Sequence, residues 1–253
     1  MNLINQPLDF EIEYPDSDGL PMAESDQTRE FLIYCVEALD EYFRDRSDVY
    51  VSGNSFIYYR QGVPDAVISP DVFVVFGVEK KKRRSYKVWE EGGITPRFVM
   101  EITSKTTQEK DEQEKPDKYA QLEVQEYFQY DPTGDYLNPP LKGSVLVKGQ
   151  YQAIAPAADG TFYSQILGLE LRLLDGDLRF FVPQTGEKLL SFQEMDQARR
   201  DAEQAQRDAE QARRDAEQAR LDAIPRLIEM GLSIAQVAIA LGLPLEQVRD
   251  YRP

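Results

Sequence analysis

Ser69-Pro70-Asp71-Val72-Phe73-Val74-Val75-Phe76 places an acidic residue at the head of an unbroken apolar run. Further along, Phe98-Val99-Met100-Glu101-Ile102 places a second acid inside another such run. Runs without polar alternation belong to strands covered on both faces. A carboxylate there is costly unless it is paired or bound to a cation. Asp71 and Glu101 are therefore candidate metal ligands. Neighbouring strands lie about 4.8 Å apart, close enough for two carboxylates to share one divalent ion. The alternative is that each acid caps a strand end or pairs with an arginine.

The residues around these two runs suggest the rest of the core. Phe31, Leu32, Cys35, Val36, Leu39 and Phe43 recur at helical spacing, with Ser25 or Asp26 as the cap. Val49–Ser52 and 55–60 are rich in β-branched and aromatic residues, and Gly53-Asn54 between them predicts a hairpin. A helix is expected over 106–122, with Pro116 tolerable only in its first turn. A third buried strand follows at 124–130 and ends at Asp131-Pro132. Further strands are expected near 144–147, 151–154, Leu169–Leu174 and 178–181, with a tight turn at Asp175-Gly176. Helix and strand alternate in a way that predicts an α/β (α+β) domain, a mixed sheet flanked by helices. Apart from Tyr251, every aromatic residue lies before position 193, so the core belongs to 1–192.

Beyond that point the composition changes. Arg-Asp-Ala-Glu-Gln-Ala recurs from Arg200, Arg207 and Arg214, and the alanines between Ala198 and Ala223 alternate in steps of four and three. This is a heptad seam of alanine on a strong helix former. A long helix is expected over 193–223, either as a solvated spacer or as a homodimer seam through 197–223. The tail, 224–253, predicts a short helix at 224–230, a second capped by Ser233, a turn at Gly242 and a third over 245–251. That is helix-turn-helix geometry.

Composition narrows the chemistry. The chain has no histidine and one cysteine, which removes serine–histidine and cysteine–histidine catalysis and zinc held by imidazole or thiolates. A catalytic metal must be held by oxygen, which favours Mg²⁺ or Mn²⁺. The net charge of −16 disfavours anionic membranes and, taken alone, nucleic acid. The run Lys80-Lys81-Lys82-Arg83-Arg84 offers a local exception that could contact phosphates, against the plainer reading of a solvated loop. With no apolar stretch of about 18 residues and no leader pattern, a cytoplasmic protein is expected.

Three blocks resemble the Uma2 family of bacterial endonucleases, a branch of the PD-(D/E)XK superfamily. They are 69–75, then 98–107, then 111–132, with Asp111, Lys115 and Tyr119 at four-residue steps. The similarity extends from about Pro21 to Val182. The resemblance implies a restriction-endonuclease-like fold and Mg²⁺-dependent hydrolysis of phosphodiesters, with DNA as the expected partner. Asp71 and Glu101 would hold the metal, assisted by the carbonyl of Ile102. The superfamily pattern puts a lysine two residues after the glutamate, where this chain has Thr103. The Uma2 pattern moves it to the next helix, where Lys115 fits and Lys105 competes. Glu24 is a candidate accessory acid, or simply a favourable charge near a helix start. The tail resembles those following other PD-(D/E)XK proteins of mobile elements. Its final helix carries Gln247 and Arg249 beside Glu246 and Asp250, so DNA reading and protein docking stay open. A catalytically silent binding module on the same fold, and a scaffold acting through coiled coil and tail, are the alternatives.

Overall fold

A computed structural model describes residues 13–16, 25–103 and 114–251. The chain divides into two compact units, Met1–Phe192 and Gln193–Pro253.

The first unit is built on a six-stranded mixed sheet. In sheet order its strands are β1 (Val49–Ser52), β4 (Val72–Phe76), β6 (Phe98–Ile102), β7 (Glu126–Tyr130), β8 (Leu141–Val147) and β9 (Gln150–Ala153). All neighbours are antiparallel except β6 and β7, which run parallel. The two apolar runs that open the sequence reading are thus adjacent central strands. Val72–Val75 and Phe98–Ile102 are at most 1% exposed.

Alternation along these strands feeds two cores. On one face Val72, Val74, Phe98, Met100 and Ile102 meet Phe31, Cys35 and Leu39 of helix α1 (Asp26–Tyr42). The same face meets Leu169, Leu171, Leu178 and Phe180, from a sheet of β10 (Phe162–Ser164), β11 (Leu169–Leu174) and β12 (Asp177–Phe181). Cys35 is buried there as a small apolar filler, and burial raises its thiol pKa. On the other face Phe73, Val75, Val99 and Tyr127 meet Tyr119 and Leu122, at the end of helix α2 (Lys115–Gln121). A small sheet of β2 (Ile57–Tyr58), β3 (Val67–Ile68) and β5 (Tyr86–Lys87) packs on that side through Ile57, Ile68 and Tyr86.

One local expectation changes. Val49–Ser52 and the following run form no hairpin: β1 pairs with β4, while β2 pairs with β3 and β5. Gly53 acts as a joint between sheets, since a Cβ there would sit 2.3 Å from the Asp71 carbonyl oxygen. The described part of the helix expected over 106–122 begins at Lys115, and Pro116 falls in its first turn, where its missing N–H costs nothing. Residues 106–113 lie outside the described residues. Asp175 and Gly176 do make the β11–β12 turn, both with positive φ (54° and 94°).

Two buried acids brace this unit. Glu126 faces the α1 side and accepts from the Ser164 hydroxyl and the Gln165 N–H, the latter at 2.8 Å. Asp131 accepts from the Tyr136 and Leu137 amides and from both donors of Thr133, at 2.6–2.9 Å. Burial pushes the Asp131 carboxyl up, but the amide and hydroxyl donors outweigh it and hold the group below its ordinary value.

In the second unit, helix α3 runs unbroken from Phe192 to Glu229. The separate helix expected from residue 224 is fused to it, with Pro225 inside. Fusion lets Leu221, Ile224 and Leu227 join Val237, Ala238, Leu241 and Val248 in a small core. Those partners come from α4 (Ile234–Leu241) and α5 (Leu245–Asp250). Ser233 and Gln236 form a reciprocal capping box at the start of α4. The alanines from Ala198 to Ala219 are exposed, and Gln–Asp hydrogen bonds recur every heptad, from Gln197–Asp201 to Gln218–Asp222. No helix among the described residues is long and apolar enough to cross a membrane.

Replacing Asp131 with Ala leaves three amides without this acceptor, that of Leu137 buried and those of Thr133 and Tyr136 partly so. It is expected to lower stability by about 3 kcal/mol at pH 7, read by urea denaturation. Because the folded carboxyl titrates below the unfolded one, this contribution is complete above the ordinary aspartate range. It disappears as pH falls through the lowered value, so wild type and Asp131→Ala should converge in acid.

Candidate active site at the end of the β4–β6 ladder

The β4–β6 register pairs Val72 with Met100, so one further step sets Asp71 opposite Glu101. Here the backbone ladder gives way to side chains. The Asp71 N–H donates to Glu101 Oε2 at 3.3 Å, and the Ile102 N–H donates to Asp71 Oδ2 at 2.7 Å. Each carboxylate thus caps an amide of the other strand, which offsets part of its desolvation. Alternation from Phe73 and Val99 directs both side chains to the α2 face.

Helix α2 brings two more groups to the same place. Lys115 Nζ lies 2.8 Å from Glu101 Oε2, with side-chain exposures of 17% and 0%. The Tyr119 hydroxyl donates to Glu101 Oε1. The four-residue spacing stacks Lys115 and Tyr119 on one helix face, so both oxygens of one carboxylate are held by α2. Burial, then the adjacent Glu101 charge, pushes the Tyr119 hydroxyl pKa far up, so it stays a proton donor. This is a buried ion pair, unlike the surface pair that the spacing alone would allow.

The backbone beneath the site is fixed from the β1 side. Asn54, at φ 47°, donates its N–H to the carbonyls of Pro70 (3.0 Å) and Asp71 (3.1 Å). On the other side, the β6–β7 register sets Gln129 beside Glu101, and β7–β8 sets Lys142 beside Gln129. Asp71, Glu101, Gln129 and Lys142 therefore form one polar row across four strands. Gln129 is 9% exposed between Phe128 and Tyr130, and a buried amide between two aromatic residues is the sequence signal by which it could have been found. Thr103, two residues beyond Glu101, is 1% exposed. Its Oγ1 has no hydrogen-bond partner among the described residues.

Other sequence candidates fall elsewhere. Lys105, Asp111 and Glu24 lie outside the described residues. The basic run follows β4 while Asp71 precedes it, so the two are separated by the length of the strand, about 16 Å. Much of its charge is also spent internally. Lys80 pairs with Asp40 at 2.8 Å, and Arg83 grips Glu91 with two bonds beneath the Tyr50 ring. A cavity of about 360 Å³ opens at the opposite end of β7, but Glu123 and Glu126 give it the wrong charge for a phosphodiester.

The donor set suits a hard divalent cation. Among the described residues no three acidic, cysteine or histidine side chains converge. Two carboxylates are nonetheless an ordinary complement for Mg²⁺, which keeps several of its waters. The uncompensated Thr103 hydroxyl beside them leaves one buried oxygen still to be satisfied.

A family model for Uma2, described as "Putative restriction endonuclease", matches residues 5–186. No curated protein matches the chain. Among solved structures, one titled a "putative nuclease belonging to DUF820" from Anabaena variabilis ATCC 29413 aligns with 58% of this chain and 76% of its own, at 11% identity and a TM-score of 0.41.

Tyr119→Phe leaves one oxygen of a fully buried carboxylate without its donor. We expect a folded protein destabilised by about 1–3 kcal/mol in chemical denaturation. An unchanged midpoint would show that the hydroxyl does not hold Glu101.

Proposed function

The chain belongs to the Uma2 family, and on that premise we propose that it is an Mg²⁺- or Mn²⁺-dependent endonuclease that hydrolyses phosphodiester bonds of DNA. The observation that carries this reading is the meeting of Asp71, Glu101 and Lys115 on one sheet face, from two strands and a helix. Asp71 and Glu101 are the residues that would hold the cation. When bound, the cation supplies a Lewis acid that offsets phosphate charge and acidifies a water.

The remaining roles belong to the chain itself. Tyr119 and the Asp71 amide hold Glu101 in one rotamer, so its carboxylate keeps a fixed direction. Lys115 supplies a positive charge 2.8 Å from Glu101, placed to neutralise charge growing on a phosphate oxygen. Gln129 and Lys142 extend the polar row sideways, and Lys142 offers a cation for a neighbouring phosphate of the same strand. Because the protein as a whole is acidic, attraction of the polyanion depends on these few groups and on the metal. The same reading places the protein in the cytoplasm. It also gives the exposed alanine seam of α3 a second copy of the chain as partner through residues 197–223.

Plasmid nicking with and without Mg²⁺ is the test. Asp71→Ala and Glu101→Ala are expected to fall to background. Lys115→Met should retain cation binding and lose about 10²–10³-fold in rate. Equal nicking by wild type and the two acid variants, with circular dichroism showing all three folded, would refute the assignment.

A further inference from the structure

The Thr103 hydroxyl is the one buried side-chain polar atom without a partner among the described residues. A buried hydroxyl forgoes its water contacts for nothing in return, and valine would fill the same space without that loss. Native proteins rarely leave such a group unsatisfied, and an ordered water or ion is a frequent resolution.

Its position is specific. The Thr103 N–H donates to the Tyr130 carbonyl at 2.8 Å, which continues the β6–β7 ladder one residue past Ile102. Alternation therefore puts its side chain on the face of Val99 and Glu101, about 7 Å along the strand from Glu101. On the β4 side the ladder has already ended, because the Asp71 and Ile102 amides are taken by carboxylates. The hydroxyl thus stands at the open end of the ladder, on the side where the two acids converge.

We propose that Thr103 is a positioning residue for a hydrated divalent cation, its Oγ1 hydrogen-bonding a water of the shell held by Asp71 and Glu101. This inference rests on the metal-site reading of those two acids. A hydroxyl suits the task because it both donates and accepts, and its hydrogen rotates to whichever is required. A lysine two residues after the glutamate would bring charge to this spot. Threonine brings orientation without charge and leaves the cationic role to Lys115.

The experiment measures Mn²⁺ binding to the full-length chain by calorimetry, together with thermal midpoints of the metal-free protein. The variants are Thr103→Val, Thr103→Ser and Asp71→Asn. Thr103→Val should match or exceed the wild-type midpoint without metal, yet bind Mn²⁺ about tenfold more weakly. Thr103→Ser should restore most of the affinity. Wild-type Mn²⁺ affinity in Thr103→Val, with Asp71→Asn weakened, would overturn the role of Thr103 alone. A clear drop in the metal-free midpoint of Thr103→Val would also overturn it, by showing that the hydroxyl is structural. No Mn²⁺ binding by wild type, or equal binding by wild type and Asp71→Asn, would remove the metal site itself and this inference with it.

Discussion

A fully buried carboxylate in the middle of a sheet organises the first unit. Glu101 is 0% exposed, and its surroundings compensate it with three groups from two elements: Tyr119 and Lys115 from α2, and the Asp71 amide from the head of β4. Removing any of them leaves the charge less compensated in a low-dielectric setting. The position of α2, the end of the β4–β6 ladder and the rotamer of Glu101 are therefore one coupled arrangement. Rigidity of this kind is what a catalytic group needs, since its cost is met by the fold before any substrate arrives.

The same principle separates the proposed metal-binding acid from a structural one. Glu126, on the neighbouring strand, is also buried, at 3% exposed, and burial is the main cause of its raised pKa. Yet it points to the opposite face, where Ser164 and the β10–β11 turn absorb it. Its partners are backbone and a neutral hydroxyl, whereas those of Glu101 include a cation, Lys115, and the Asp71 carboxylate lies on the adjoining strand. Burial of an acid shows that something must compensate it. The nature of the compensating groups separates a brace from a reaction centre.

Much of this was legible in the linear chain for a physical reason. The runs at Val72–Phe76 and Phe98–Ile102 are so continuously apolar that only central strands could use them, and an acid inside such a strand declares itself. The period of Phe31, Cys35 and Leu39 likewise leaves little choice but a helix against a core. What stayed hidden depends on partners remote in sequence. Nothing in Ile57 and Tyr58 says that they pair with Val67–Ile68 and Tyr86–Lys87 rather than fold back on β1. Gln129 and Thr103 look like ordinary polar interruptions until the β6–β7 register sets them around Glu101. The basic run leaves a phosphate contact open beside a solvated loop until Asp40, Glu79 and Glu91 are seen to pair with Lys80, Lys81 and Arg83.

The order of strands across the main sheet bears on how the chain matures. Asp71 and Glu101 come together only after β4 and β6 have zipped, and β6 gains its parallel neighbour β7 only after the chain has crossed over through α2. These are nonlocal contacts, the slow kind to establish. A nascent or partly unravelled polypeptide cannot hold the two acids in register, so the proposed site exists only once these strands have paired. For a protein read as cutting DNA, that makes folding itself a safety catch.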